Sequence, residues 1–482
     1  MGFRTPQEFL DSLRDGRQIW VNGTKIDDPV THPQTRHTAE QLSHNYLRYH
    51  DPATREIFVT EDPETGEPVD RFMVMPRNTE DLLARARAID FTIRYGGPSF
   101  GSDALLSFLW VAPELEKANP RYRENVTNAY RRFRDENLTM AIVMSDTKGD
   151  RSKHPSQQLD PDLYVHVVDR RPDGVVIRGM KAHISGAAFV DELMVMPTKR
   201  MRDDEQDYSI GCMVATNSPG VKIIARAAEE KSRFDYPLSW AGGPEECFVW
   251  FDDVFVPHER IFQNGENWIS GPIAYALGLW ERYSAMCYKK PTVELLAGAA
   301  SLMAKMNGIA GVPHIQEKLF EFALLAQSLE AFITAAAVAC EVREGVAIPN
   351  QAITNIGKYM FASKYHELVK HVLDISGAIV ATAPKDDAFH NPELHGAFEK
   401  YLGVGEQRSG EERLRLINFI RDLCADEYAG WKSVLTLHAE GSMAAQKMMT
   451  MRSYDFAKAE DYVKRIAGIG VPESERLSKP QL

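Results

Sequence analysis

Residues 143–151 read V-M-S-D-T-K-G-D-R, and the apolar residues Met140 to Val143 run directly into them. Ser145, Asp146, Lys148, Gly149, Asp150 and Arg151 therefore stand at the lip of a predicted buried strand. Backbone N–H groups around a lone glycine, flanked by a lysine and an arginine, suit a cradle for an anionic group such as a pyrophosphate. Read from the residues alone, a solvated turn is the competing interpretation. A second stretch, E-R-Y-S-A-M-C-Y-K-K (residues 281–290), offers proton chemistry. Glu281 becomes a general base if burial raises its pKa toward neutrality; a capping or solvent-facing carboxylate early in a helix is the alternative. Lys289 and Lys290 either steer an anionic substrate or lie on a solvated helix face.

Metal and disulfide chemistry find little support. The five cysteines (Cys212, Cys247, Cys287, Cys340 and Cys424) are odd in number and scattered, with no C-x-x-C. Neither a zinc site nor a disulfide framework is expected from that pattern. The net charge of −12, from 56 Lys+Arg against 68 Asp+Glu, argues against nucleic acid as a main partner. An anionic small molecule needs only local positive charge and stays open. The opening M-G-F-R-T-P-Q-E-F-L lacks the apolar core of a signal peptide. Pro6 stands where a myristoylation motif wants Ser or Thr. No run of about 18 uncharged apolar residues occurs, so a cytoplasmic location with no membrane span is expected.

The elements that must position these residues come in three textures. The 482 residues, 44% of them hydrophobic, allow about two to four domains. Residues 1–139 read as mainly helical, with a Thr5-Pro6 helix start, a hairpin around Asn22-Gly23, and a helix over 79–94 capped by Thr79. Residues 140–270 read as short strands, including a hairpin around Pro172-Asp173-Gly174 and strands ended by Pro197 and Pro257; a small antiparallel barrel or sandwich is expected. From residue 271 to 482 the period is helical. Ile315, Leu319, Phe322, Ala326, Leu329 and Ile333 share one face, as do Leu416, Ile417, Ile420, Leu423 and Cys424, predicting a bundle of at least four long helices.

That order of textures resembles the acyl-CoA dehydrogenase-like flavoproteins, and F-D-D-V-F-V-P-H-E-R-I-F (residues 251–262) is similar to the strand that closes their middle barrel. M-S-D-T-K-G-D-R, D-P-D-L (160–163), G-V-V-I-R-G-M-K-A-H (174–183) and R-I-A-G-I-G (465–470) sharpen the match. They resemble the family that joins 4-hydroxyphenylacetate 3-hydroxylase to 4-hydroxybutyryl-CoA dehydratase, closer in the middle domain to the dehydratase branch. The resemblance implies an α+β fold: a helical N-terminal domain, a middle antiparallel β-barrel and a C-terminal helical bundle. It also implies FAD, lined by Met144, Ser145, Asp146, Lys148, Gly149, Asp150 and Arg151. His183 to Gly186 would sit by the isoalloxazine, with Ser185 where the dehydratase pattern has a Thr that bonds the flavin edge. H-A-E-G-S (438–442) resembles a loop that brings Glu440, Gly441 and Ser442 to FAD, within or across a subunit boundary. Glu245, in the Glu245-Glu246 pair, matches a dehydratase carboxylate and is a second acid/base candidate. A homotetramer is expected on the same grounds.

The departures from the family are as informative. The dehydratase pattern holds an iron–sulfur cluster through C-x₃-C and H-x₆-C pairs. Here residues 94–104 contain no cysteine, and Glu281 and Tyr288 replace the second pair. Cys287 alone cannot ligate a four-iron cluster, so no cluster is expected. V-L-T-L (434–437) also lacks the acid that the dehydratase carries there. The hydroxylase pattern is only half present: Phe100 and Ala104 replace an Arg and a Tyr, and Ile142 replaces a His. The expected function is a two-component monooxygenase using FADH₂ from a separate reductase, because no nicotinamide-binding G-x-G-x-x-G appears. It would act on a small aromatic or related organic substrate, with Phe100 and Lys289 at the substrate. The alternatives are an acyl-CoA isomerase or dehydratase-like lyase without the cluster, and a non-catalytic flavin-binding protein.

Overall fold

A computed structural model describes residues 2–95, 102–226, 231–242, 246–403 and 409–470. Helix α1 (Pro6–Ser12) starts where Thr5 and Glu8 cap each other's backbone N–H groups and Pro6 fills the first turn. The Asn22-Gly23 turn, left-handed at both residues, joins β1 (Ile19–Val21) to β2 (Thr24–Ile26). Helices α2 (Arg36–Ser43) and α3 (Pro52–Phe58) lead to a small hairpin, β3 (Val59–Glu61) and β4 (Pro68–Asp70). Three 17-residue helices follow: α4 (Thr79–Tyr95), α5 (Ser102–Ala118) and α6 (Pro120–Glu136). Asn78 rather than Thr79 caps α4. The Asn78 Oδ1 accepts from the Asp81 N–H at 2.8 Å, while the Thr79 hydroxyl turns to the Ala337 carbonyl.

The middle of the chain supplies β5 (Met140–Val143), β6 (His166–Arg171), β7 (Gly174–Ser185), β8 (Glu192–Val195), β9 (Ile210–Ala215), β10 (Val221–Arg226), β11 (Glu246–Pro257) and β12 (Ile261–Asn264), with α7 (Pro237–Gly242) before β11. Among the described residues these form two sheets, not the closed antiparallel barrel that was expected. One has the order β2-β1-β10-β11-β7-β6 and the other β12-β9-β8-β5. The pairs β1–β10 and β5–β8 are parallel, and the N-terminal hairpin β1–β2 is part of the larger sheet. Alternation marks a strand but does not say which edge will pair with which. In β11 it buries Cys247, Val249 and Phe251, then shifts register before Val254, where Asp253 is left-handed.

Helix α8 (Asn267–Met306) runs for 40 residues and carries Glu281 well inside it. It packs with α9 (Pro313–Val338) and α10 (Gln351–Ser376), which are separated by the hairpin β13 (Glu341–Arg343) and β14 (Val346–Ile348). Short helices α11 (Ile379–Thr382), α12 (Asp386–Phe389) and α13 (His395–Leu402) precede α14 (Gly410–Cys424) and α15 (Glu427–His438). The buried stripes of α9 and α14 meet α8 and α10 in one core, with Phe322, Leu329, Ile417 and Ile420 at its centre. By length and composition α9 could cross a membrane, but its Ile315, Phe322, Leu329 and Ile333 face the bundle. Helices α16 (Met443–Ser453) and α17 (Phe456–Ala467) end the described chain, and α17 buries none of its residues.

Candidate functional site

A cleft of about 2480 Å³ opens between the N-terminal helices, the ends of β5 and β7, and the inner faces of α8 and α15. Pockets for single small ligands run to about 300–1,000 Å³, so this cleft has room for a large cofactor and a substrate together.

Strand β5 delivers the 144–151 turn to one wall, where Met144, Ser145, Lys148 and Arg151 line the cleft. Lys148 and Gly149 are both left-handed (φ 71° and 47°). A Cβ on Gly149 would stand 2.6 Å from Gln158 Oε1 and Leu163 Cδ1, so the tight approach of the turn to its neighbour suits glycine. The acids of the turn point elsewhere. Asp146 is a correction to the expected cradle: it lies beneath the wall, 2.8 Å from Lys181 Nζ with both side chains 2% exposed, and accepts the Val165 N–H. Gly149 and Asp150 do not line the cleft either, and Asp150 accepts from the Ser152 N–H and hydroxyl. The wall is left with surplus positive charge. Burial, together with Arg151, Lys181 and Lys199 nearby, holds the Lys148 ammonium below the usual lysine range against the opposing pull of Asp146. An anion would relieve that repulsion.

Strand β7 ends at the same cleft. A register shift between Cys247 and Val249 leaves Ala182 and His183 outside the ladder, and His183 is left-handed. His183, Ser185 and Gly186 all line the cleft. Ser185 lies directly opposite Glu246. Its hydroxyl donates to Glu246 Oε1 at 2.9 Å, and the Trp431 Nε1–H from α15 donates to the same oxygen at 3.1 Å. Of the Glu245-Glu246 pair, the carboxylate described at the cleft is Glu246. Glu245 and Phe100 lie outside the described residues.

The back wall belongs to α8, where Glu281, Arg282, Ser284 and Tyr288 line the cleft. Glu281 is partly reachable from the cleft yet set within the packed entrance of the bundle. Burial raises its pKa, Asp103 raises it further, and Arg282 and Lys289 oppose, leaving it pushed up to about 7. Asp103 itself is fully buried, paired with Arg85 and accepting the Ser284 hydroxyl at 2.8 Å. Ala104 is buried, and Ile142 is on the cleft wall.

Lys289 is the second correction. Its side chain is 5% exposed and ion-paired to Glu440 at 2.8 Å, instead of reaching for a substrate. Burial, aided by Lys358 and Lys432, drives its ammonium well below the usual range. Glu440 is shifted the opposite way, well above the usual carboxylate range, by burial and Glu281 against the opposing pull of Arg282, so burial disfavours the charge on both partners. Lys358 stands 3.5 Å from the same carboxylate and donates to the Thr436 carbonyl. Arg282 donates to the Glu440 carbonyl at 2.9 Å, and Gln446 to that of Gly441 at 3.0 Å. The loop that carries Glu440, Gly441 and Ser442 to the cleft is thereby clamped by α8, α10 and α16 of its own chain. Lys290 is also occupied, paired with Glu330 of α9.

The structure therefore gathers Met144, Ser145, Lys148, Arg151, His183, Ser185, Glu281, Glu440, Gly441 and Ser442 around one space. Sequence reasoning missed Glu246 as the cleft carboxylate, together with Trp431, Arg282 and Lys358. The E-E pair was a signal for the first. Trp431, Arg282 and Lys358 stand in ordinary helical sequence that carries none. The arrangement suits an elongated anionic ligand with a polar-edged ring near Ser185, and it places a near-neutral carboxyl beside the remaining space. A four-iron cluster does not fit these residues. Cys287 is 1% exposed and donates its thiol back to the Tyr283 carbonyl.

Comparison with known proteins agrees over nearly the full length. The family models described as 4-hydroxyphenylacetate 3-hydroxylase N terminal and C terminal match residues 5–263 and 271–468. The chain is 28% identical to the 4-hydroxybutyryl-CoA dehydratase/vinylacetyl-CoA-Delta-isomerase of Clostridium aminobutyricum, over 96% of this chain and 99% of that one. It is 27% identical to the 4-hydroxyphenylacetate 3-monooxygenase oxygenase component of Thermus thermophilus, over 96% of each. A crystal structure of the oxygenase component of 4-hydroxyphenylacetate 3-monooxygenase complexed with FAD superposes with a TM-score of 0.88 at 25% identity, over 96% of this chain and 98% of that one.

Proposed function

Because this chain belongs to the 4-hydroxyphenylacetate 3-hydroxylase family, we propose that it is the oxygenase component of a two-component monooxygenase. It takes FADH₂ from a separate reductase and uses O₂ to hydroxylate an aromatic or related small organic substrate. The observation that carries this reading is the shared cleft: surplus cations on the 144–151 turn, polar groups at the end of β7, and a near-neutral carboxyl on α8.

Lys148 and Arg151 would hold the pyrophosphate of FAD, and Ser185 would meet the ring edge. The clamped loop at Glu440–Ser442 would cover the cofactor on the opposite side. When bound, reduced FAD supplies the electrons for O₂ activation. The protein's own part is positioning, exclusion of water and proton handling. Glu281, with its pKa pushed up to about 7, accepts a substrate hydroxyl proton at its carboxylate near neutral pH. Ile142, where the hydroxylase pattern has His, makes this wall less polar, and Ala104, where it has Tyr, is buried and does not reach the cleft. The substrate is therefore not held by the usual phenolate grip.

The lyase reading loses its supports. Its cluster ligands are replaced, and Lys289 is turned to Glu440 rather than to a substrate. We also read the chain as a homotetramer, supported by the exposed Leu302, Phe320 and Leu324 on outer faces of α8 and α9.

The test is turnover with a generic flavin reductase, NADH, FAD and ¹⁸O₂ against a panel of phenols and vinylacetyl-CoA. A hydroxylated product carrying one ¹⁸O atom is expected. Peroxide alone from every phenol, with double-bond migration in the thioester, would overturn the monooxygenase.

A further inference from the structure

Phe100, Ala104 and Ile142 stand where the hydroxylase pattern has Arg, Tyr and His, so a substrate oxygen needs a cation from elsewhere. Arg282 of α8 is held ready for that task. Its Nε donates to the Glu440 carbonyl at 2.9 Å and its Nη1 to Asn355 Oδ1 at 3.2 Å. Asn355 is fully buried and donates in turn to the Gln351 carbonyl of α10. The remaining nitrogen, Nη2, lies between Gly278 and Gly441, both of which line the cleft. A Cβ on Gly441 would stand 2.8 Å from Nη2, and one on Gly278 would stand 3.4 Å from it. Neither residue has a side chain to cover it. Among the described residues Arg282 forms no ion pair, because the Glu440 carboxylate is turned to Lys289 and Lys358. Burial holds the guanidinium below the usual arginine range, against the pull of Glu281 and Glu440.

We propose that Arg282 binds the oxyanion of the substrate, formed when the neighbouring Glu281 takes its hydroxyl proton. The inference rests on the reading that the substrate is a hydroxylated aromatic. The substrate O–H bond breaks, the proton passes to the Glu281 carboxylate, and the electron pair stays on the oxygen. Arg282 Nη2 donates to that oxygen in a charge-assisted hydrogen bond. The low local dielectric strengthens the pairing. The guanidinium is already fixed by its other two nitrogens, so it loses little freedom on binding. The cation thus comes from the helical bundle instead of the first domain. One guanidinium then serves both the substrate oxygen and the loop at Glu440 and Gly441.

The probes are 4-nitrophenol and its methyl ether, 4-nitroanisole, which has no hydroxyl proton to give up. FAD-loaded protein is titrated with each by calorimetry, and the bound form of the phenol is read from the nitrophenolate band in a difference spectrum. Wild type is expected to bind 4-nitrophenol as the phenolate, roughly ten- to a hundredfold more tightly than the ether. Arg282→Gln is expected to lose most of that preference. Because this variant also releases the Glu440 carbonyl, Gly278→Val serves as the second. It sets carbon against Nη2 while leaving Arg282 its other two nitrogens' partners, and it too is expected to lose the preference. A preference retained in either variant, or a wild type that binds phenol and ether equally, overturns the anchor and leaves the aromatic substrate in place. Binding of neither compound by the wild type overturns the aromatic substrate itself.

Discussion

Replacing Glu281 with glutamine should change how stability depends on pH, in a direction set by its surroundings. The carboxyl rises from an ordinary 4.5 to about 7 because burial and Asp103 disfavour its charge more than Arg282 and Lys289 favour it. At about 1.4 kcal/mol per tenfold, this penalises the ionised native state by roughly 3 kcal/mol. The sign follows from proton counting. Between pH 4.5 and 7 the native state binds more protons at this position than the unfolded state, so wild-type stability falls as pH rises through that window. Below 4.5 both states are protonated, and above 7 both are ionised, so the penalty is absent in the first range and complete in the second. Glutamine never ionises. Glu281→Gln should therefore gain about 3 kcal/mol on wild type between pH 4 and pH 8. The assay is urea unfolding of both proteins across that range, followed by tryptophan fluorescence. The same variant should flatten the rise of kcat/KM that a base titrating near 7 produces. A stability difference that stays constant from pH 4 to pH 8 would refute the buried, near-neutral carboxyl and its use as a base.

Arg151→Ala should weaken FAD binding by roughly ten- to a hundredfold, the worth of one charge-assisted hydrogen bond; unchanged affinity in a titration removes the anion cradle. Lys289→Met should destabilise the protein by about 3–5 kcal/mol, because it leaves Glu440 buried with only the longer contact to Lys358. Hydrogen exchange in residues 436–442 should rise with it, and Lys289→Met/Glu440→Gln should recover much of the loss; a stable single variant with unchanged exchange would mean that the ion pair does not clamp the loop.

Much of this protein can be read in one dimension because local rules act over a few residues. The Thr5-Pro6 helix start, the Asn22-Gly23 turn and the apolar faces of α9 and α14 follow from capping, left-handed turn geometry and the helical period. The strand run from Met140 and the cations after it mark the anion-facing turn in the same way, because composition and order are enough to recognise such a loop. What sequence could not decide depends on contacts between distant segments. Strand alternation is indifferent to partners, so the parallel pairing of β1 with β10 and the open two-sheet arrangement had no local sign. Asp146 and Lys181 are 35 positions apart, and Lys289 and Glu440 are 151 apart. Each of the four resembles a surface charge until burial makes a partner obligatory. The same holds for Glu246, whose place opposite Ser185 and beneath Trp431 comes from register and from α15 packing across the cleft. The chemical types at the site were set by the sequence. Which of them face the cleft, and which are occupied with one another, was decided by desolvation and pairing in the folded chain.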